Sequence, residues 1–259
     1  MNTQECMNDF FIVAYEAGAE RTPLPTWASK RENPLALEQD FGKTVQRFDV
    51  ESVPGAFQLK GLLTQEECRR FIETTEKLGY TEDASVSLPR SVRRNENLVW
   101  VVDDTTHDII WERCKNLLYD TIGIFNNKMP LGLNKRFRFY KYAEGDFFKP
   151  HTDGSWPGSR VVENRLISNA YPDRYSRMTF LILLNDDFTG GETAFYVDRN
   201  DPSRPARMSE DVKVAEIRTP AGGVLCFPHG SHPLHCLHSS EPLLSGTKYI
   251  IRTDLLFER

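Results

Sequence analysis

From Arg136 to the end, the chain is built of short runs rich in aromatic and branched residues: RFRFYKY, RMTFLILLN, TAFYV, VKVAEI, GVLCF and KYIIRTDLLF. Between them stand EGD, DDFTGG, DRNDPSRP, TPAGG and LLSG, which supply the glycines, prolines and acidic residues of tight turns. Strands joined in this way, without intervening helices, cannot form a parallel sheet. The pattern predicts an antiparallel sandwich or barrel of jelly-roll type. No internal repeat is visible.

The N-terminal half is written differently. Residues 1–45 carry RTPLPTW and KRENPLALEQ, rich in Pro, Glu and Arg, and are expected to form an irregular arm. GAFQLKGLL (55–63) alternates like a strand. Thr64 and Glu67 then fit a capping box, predicting a helix to Leu78 with Gly79 as its C-terminal cap. A second helix is expected over Thr105–Phe125, where Ile109, Ile110, Leu117, Leu118, Ile122 and Phe125 recur at helical spacing and Asp103 or Asp104 can cap. The expected class is α+β, mainly β. Residues 46–133 form a helical support and residues 134–259 a jelly-roll core.

Composition narrows the functional classes. At 259 residues, with 39% hydrophobic and 27% charged, the chain has ample material for a core. No stretch approaches the roughly 20 apolar residues that cross a bilayer. MNTQECMNDFF has neither the basic nor the apolar region of a secretory signal. Cys6, Cys68, Cys114, Cys226 and Cys236 are odd in number and scattered, with no CxxC pair. A disulfide framework or thiolate zinc site is therefore not expected, and the expected setting is the cytosol. The net charge of -5 offers no attraction to nucleic acid or anionic lipid, so neither is expected as a partner.

The chemistry concentrates in a few residues. His151-Thr152-Asp153 places an imidazole and a carboxylate on one side of an extended segment, although so short a motif recurs by chance. Its weight comes from the far end, where His238 precedes a turn and Lys248 opens an apolar strand ten positions later. A lysine on a buried strand must find an anion or pay for desolvation. Two His and one Asp from different strands would make a facial triad with open coordination positions, as non-haem Fe(II) oxygenases require. A 2-oxoglutarate bound there would need a cation for its distal carboxylate, and Lys248 is placed to supply it.

At these residues the chain resembles the Fe(II)/2-oxoglutarate dioxygenases of the prolyl 4-hydroxylase type. The matching pieces are Tyr142, Gly145, Pro150, His151 and Asp153; Thr179-Phe-Leu-Ile-Leu-Leu-Asn; Gly190-Gly-Glu-Thr193; Pro220-x-Gly-Gly; and His238 with Lys248. Similarity is weaker upstream, around RRNENLVWVVDD. The resemblance implies a double-stranded β-helix core and Fe(II) held by His151, Asp153 and His238. It implies 2-oxoglutarate held by Lys248, Tyr142 and Thr179, and leaves room for ascorbate beside them. It also implies oxidative decarboxylation to succinate coupled to hydroxylation of an unactivated C–H bond, with dioxygen and a prime substrate as partners. Two departures bear on that substrate. RTDLLF stands where collagen-type members carry a tryptophan, and the segment from Asp153 to Thr179 is long and charged. A small molecule, amino acid or short peptide is expected.

Other readings of these residues stay open. Arg252 lies four residues beyond Lys248, so it shares a strand face and could bind the cosubstrate, assist Lys248 or meet a substrate carboxylate. His229, His232, His235 and His238 recur every third residue, as in a metal-binding tract, but His232 and His235 read better as loop or core residues. His107 is expected at the surface, and Arg90, Arg93 and Arg94 in a solvated loop. Gly154–Arg177 is longer than an ordinary connection and holds Trp156, Tyr171 and Tyr175 with Arg160, Arg165, Arg174 and Arg177, which predicts a substrate lid. A halogenase would replace Asp153, and a nucleic-acid demethylase sits poorly with the acidic balance. The main alternative is a jelly-roll binding or sensing protein without turnover.

Overall fold

The computed structural model describes residues 9–18, 23–40, 42, 44–84, 88–207 and 211–259. In chain order its elements are β1 (Phe10–Ala17), β2 (Pro23–Ser29), β3 (Gln46–Asp49), β4 (Phe57–Lys60), α1 (Gln65–Leu78), β5 (Arg93–Arg94), β6 (Glu96–Val101) and α2 (Asp104–Leu118). Then follow β7 (Pro130–Leu133), β8 (Arg136–Tyr142), β9 (Phe147–His151), β10 (Arg160–Val162), β11 (Arg165–Ile167), β12 (Arg174–Leu183) and β13 (Thr189–Gly190). The last are β14 (Thr193–Asp198), β15 (Val212–Ile217), β16 (Val224–Pro228), β17 (Leu237–Ser240), β18 (Leu243–Ser245) and β19 (Lys248–Glu258). A large sheet runs β1-β2-β6-β8-β19-β12-β16-β4-β3, with β7 also paired to β19. A smaller sheet runs β15-β14-β17-β9-β5. The core pairings are antiparallel, giving the jelly roll expected from the turn chemistry.

The central strands of the large sheet are buried on both faces, which is why they read as continuous apolar runs. Along β12, Met178, Phe180 and Ile182 face a core shared with Phe71 of α1 and Ile110 of α2. Leu181 and Leu183 face the opposite way, into a second core with Phe195, Leu225 and Ile250 between the sheets. Each such side chain contributes about 1.5–3 kcal/mol by leaving water. The polar exceptions on this inner face are Lys248, Arg252 and Asp254 of β19, Arg138 of β8 and Thr179 of β12. Register brings them together: Thr179 lies opposite Asp254, Arg252 opposite Arg138, and Lys248 opposite Tyr142.

The helices back the large sheet. The Glu67 N–H donates to Thr64 Oγ1 at 3.1 Å, and the Thr64 N–H donates to Glu67 Oε2 at 2.9 Å, closing the expected capping box. Glu67 is fully buried because Arg113 meets it at 2.6 Å. Asp103 caps α2, accepting from the Thr106 N–H at 2.9 Å. That helix stops at Leu118 rather than Phe125 and tightens into a 3-10 turn over Tyr119–Phe125. Thr121, Ile122 and Gly123 are poor helix formers, and the tighter turn seats Phe125 on Phe257 at 4.1 Å.

Three expectations need correction. The segment before residue 46 is not an irregular arm in its described part, since β1 and β2 extend the large sheet and Leu35, Leu37 and Val45 are buried. Pro23 and Pro25 precede the Thr26–Ala28 stretch that also pairs with β6, so their missing N–H groups fall where β2 has β1 alone as neighbour. Residues 46–133 hold five strands besides the helices. His107 is buried, and its Nε2 accepts the Leu133 N–H at 3.1 Å, fastening β7 to α2. Cys68, Cys114, Cys226 and Cys236 are free and buried, while Cys6 lies outside the described residues. No helix among the described residues is long and apolar enough to cross a membrane.

Candidate metal and cosubstrate site

His151 ends β9 and lies directly opposite His238 of β17, so the smaller sheet presents both rings on one face, 4.3 Å apart. Asp153 follows two residues later. Nε2 of His151 is 3.9 Å from Asp153 Oδ1, and Nε2 of His238 is 3.7 Å from Asp153 Oδ2. Among the described residues, this is the one group of three His, Cys, Asp or Glu side chains whose ligand atoms all lie within 4.8 Å of one another. Each histidine donates Nδ1–H to a backbone carbonyl, His151 to Lys149 at 2.8 Å and His238 to Cys236 at 3.2 Å. A carbonyl can only accept, so both Nε2 atoms keep their lone pairs turned toward Asp153.

Electrostatics hold the group in its metal-ready form. Burial, aided by the neighbouring His238, pushes the His151 pKa down to about 4, and burial lowers His238 as well. Burial alone would raise Asp153, but Arg252, then His238 and His151, outweigh it and keep the carboxylate ionised. Two neutral imidazoles and a carboxylate are the protonation states a divalent cation needs. Phe148 stacks on His151 at 3.5 Å, and Phe227 stands edge-on to His238 at 4.7 Å, walling the site with apolar surface.

A chain of hydrogen bonds orients Asp153 from behind. The Thr179 hydroxyl donates to Asp153 Oδ2 at 2.6 Å and accepts from His229 Nδ1 at 2.9 Å. His229 Nε2 accepts from the Ser176 hydroxyl at 3.0 Å, and that oxygen accepts the Trp156 N–H at 2.6 Å. Thr179, expected at the cosubstrate, thus directs its hydroxyl to Asp153. His229, grouped with the histidine tract, is buried beneath the site, while His232 and His235 bond backbone carbonyls away from it.

Lys248 and Arg252 share a strand face, as strand spacing predicts, but their surroundings differ. Arg252 sits between two acids, with Nε 3.4 Å from Asp153 Oδ2 and Nη2 3.1 Å from Asp254 Oδ1. Arg138 Nη1 approaches the other Asp254 oxygen at 3.5 Å. Lys248 is buried yet meets neutral groups, the Gly191 carbonyl at 2.5 Å and Ser240 Oγ at 3.1 Å, with the Tyr142 ring 5.2 Å away. Among the described residues it makes no ion pair. Burial accordingly pushes its pKa down to about 8. A cleft of about 250 Å³ is lined by the triad, Tyr142, Lys248 and Arg252.

One further expectation changes. Arg93 is not in a solvated loop: β5 pairs with β9 and lays its buried guanidinium 5.5 Å from the Phe148 ring, at the cleft wall. Arg90 and Arg94 do face solvent. Within Gly154–Arg177, where the sequence predicts a substrate lid, β10 and β11 form a hairpin that turns at Glu163 and Asn164, both with positive φ. Arg160 ties this hairpin to Asp104 of α2, and Asn134 bonds Pro157 and Ser159. Sequence reasoning missed His229, Ser176, Arg138 and Asp254. The last two carried a readable signal, charges in otherwise apolar strand runs.

No protein-family model matches the chain, and no curated protein matches it. Solved structures do. A viral collagen prolyl hydroxylase of Paramecium bursaria Chlorella virus-1, in complex with 2-oxoglutarate, is 17% identical over 84% of this chain and 98% of its own, with TM-score 0.47. A Pseudomonas putida prolyl-4-hydroxylase is 14% identical over 80% and 93%, with TM-score 0.49. A Trichoplax adhaerens prolyl hydroxylase, in complex with a hypoxia inducible factor peptide fragment, is 16% identical over 79% and 83%, with TM-score 0.51. This last likeness, together with the sheet topology, gives the chain the jelly-roll fold of a prolyl hydroxylase.

Proposed function

We propose that this chain is an Fe(II)- and 2-oxoglutarate-dependent oxygenase that hydroxylates an unactivated C–H bond. The observation that carries the proposal is one cleft holding both halves of the requirement. Three converging donor atoms offer a facial set with open positions, and a buried ammonium in the same cleft makes no ion pair among the described residues. The donor set suits ferrous iron. A dicarboxylate completes Lys248.

The chemistry supplied by the bound metal and cosubstrate is oxidative decarboxylation of 2-oxoglutarate to succinate and carbon dioxide, coupled to C–H hydroxylation. The chain's own residues prepare it. His151 and His238 offer Nε2, and Asp153 offers Oδ1, while Thr179 and Arg252 restrain Oδ2. Lys248, with the Tyr142 ring 5.2 Å away, would receive the distal carboxylate in a charge-assisted contact. Phe148 and Phe227 exclude water from the reacting side. Ascorbate has a place as an accessory reductant. The prime substrate is a small molecule, amino acid or peptidyl residue, and prolyl C–H bonds fall within this class because the fold is that of a prolyl hydroxylase.

A succinate-release screen of anaerobically purified, iron-loaded protein against amino acids, peptides and metabolites tests the proposal. His151→Ala, Asp153→Ala and His238→Ala should each abolish release, while His235→Ala retains it. An active His238→Ala protein beside a dead His235→Ala protein would mean that the distal ligand is misassigned. Metal binding without succinate from any candidate would favour a binding protein.

A further inference from the structure

The large sheet is wider than the small one. The small sheet ends at β5, whereas the large sheet continues past β8 through β6, β2 and β1. Register carries one row of side chains across its inner face: Leu181, Arg252, Arg138, Val99 and Thr26. A second cavity lies on this extension, bordered by Thr26, Asn97, Val99 and Glu16, and it shares Arg138, Arg93 and Tyr140 with the cleft of the triad. Arg93, Arg138 and Tyr140 thus border both spaces.

Arg138 is only 5% exposed. Its ion-pair partner Asp254, 3.5 Å away, is taken more closely by Arg252 at 3.1 Å. Around the cleft, Arg93, Arg138, Arg252 and Lys248 contribute four positive charges, against two negative charges from Asp153 and the adjoining Asp254. A divalent metal and a 2-oxoglutarate dianion add no net charge. Positive charge is therefore in excess, and Arg138 holds its acid only in common with Arg252, whereas Arg252 has two acids and Lys248 gains the cosubstrate. Glu16 at the far side feels Arg138 at a distance, but its direct partners are Arg136 and the Thr26 hydroxyl, the latter at 2.6 Å. A buried, weakly compensated guanidinium is costly unless an anion meets it. The flanking walls are aromatic, with Trp156 5.0 Å from the Arg138 guanidinium and Tyr140 two residues along the same face.

We infer that the two spaces form one trough that binds the prime substrate, and that the substrate is a small molecule whose carboxylate is received by Arg138. Its hydrocarbon part lies between Tyr140 and Trp156, beside the triad. An internal peptidyl residue other than Asp or Glu, proline included, brings no carboxylate to this position, whereas a free acid does. The assignment rests on the hydroxylase chemistry proposed above.

Ligand-observed NMR on the anaerobic protein, loaded with Fe(II) and saturated with 2-oxoglutarate, tests it. The probes are phenylacetate, 3-phenylpropionate and N-acetylproline, each beside its primary amide. At least one acid should bind at least tenfold more tightly than its amide. Arg138→Gln should remove that preference, and Arg138→Lys should restore part of it. Val99→Glu, which leaves the buried arginine in place, should block the acid by setting a carboxylate beside Arg138. Equal binding of acids and amides, binding of none, or a preference that survives both Arg138→Gln and Val99→Glu would overturn the inference. The same spectra report 2-oxoglutarate itself. If the wild-type protein fails to bind it, the hydroxylase proposal falls; if it binds and the probes do not discriminate, only the carboxylate inference falls.

Discussion

Lys248 offers a test that needs neither metal nor prime substrate. Its ammonium is fully buried against the Gly191 carbonyl and Ser240 Oγ, and burial pushes its pKa from 10.5 down to about 8. Converted at 1.36 kcal/mol per pKa unit, that displacement disfavours the charged form by about 3 kcal/mol. The folded pKa lies below the unfolded one, so between pH 8 and 10.5 the unfolded chain binds more protons. Stability of the free protein should therefore rise with pH across this window, and the cost is fully present below it. Lys248→Met keeps the volume and removes the charge. It should stabilise the free protein at pH 7 by about 2–3 kcal/mol and abolish its share of the rise. It should also abolish stabilisation by 2-oxoglutarate, since the distal carboxylate loses its partner. Urea unfolding of both proteins from pH 7 to 10.5, with and without 2-oxoglutarate, measures all three effects. A Lys248→Met protein that is less stable at pH 7, or is still stabilised by 2-oxoglutarate as the wild type is, would refute the assignment of Lys248 as an anion receptor awaiting its ligand.

Three other perturbations address the support of the site. His229→Ala breaks the chain from Ser176 through Thr179 to Asp153 and should weaken divalent-metal affinity about 10–100-fold, measured by Mn(II) titration; unchanged affinity would mean that His229 is only packing. Arg252→Met leaves Asp254 buried with only the more distant Arg138 and His229 beside it and should cost about 3–5 kcal/mol in urea unfolding, and a loss below about 1 kcal/mol would deny it a structural role. Arg160→Ala unties the β10–β11 hairpin from Asp104. Because that pair is partly exposed, it should change stability by no more than about 1 kcal/mol yet speed limited proteolysis at Glu163–Asn164, and an unchanged cleavage rate would show that the tether does not restrain the hairpin.

The legible features were those encoded over short distances. Thr64 and Glu67 are three residues apart, so their reciprocal capping could be read directly, and the turn clusters after Arg136 announced an antiparallel core. His151 and Asp153 were legible as a pair, and His238 became so through its spacing to Lys248. What escaped depended on partners remote in sequence. The prolines of β2 obscured a strand whose order comes from pairing with β6, some 70 residues later. His107 looked like a surface residue because Leu133, whose N–H it accepts, lies 26 positions away. Thr179, expected at the cosubstrate, does line the cleft, but its hydroxyl bond to Asp153, 26 positions away in the chain, could not be read from the sequence. Arg138 and Asp254 appeared as charges in apolar runs, but their function as a shared network emerges only when three strands are laid side by side.

The central claim is that His151, Asp153 and His238 hold ferrous iron on which 2-oxoglutarate chelates, with Lys248 receiving its far end. Anaerobic titration of the Fe(II)-loaded protein with 2-oxoglutarate, followed by visible absorption, tests this without knowledge of the prime substrate. A metal-to-ligand charge-transfer band should grow to one equivalent in the wild type, be absent in His238→Ala, and require far more 2-oxoglutarate in Lys248→Met. A folded wild-type protein that forms no such band, or a His238→Ala protein that forms it equally well, would contradict the account.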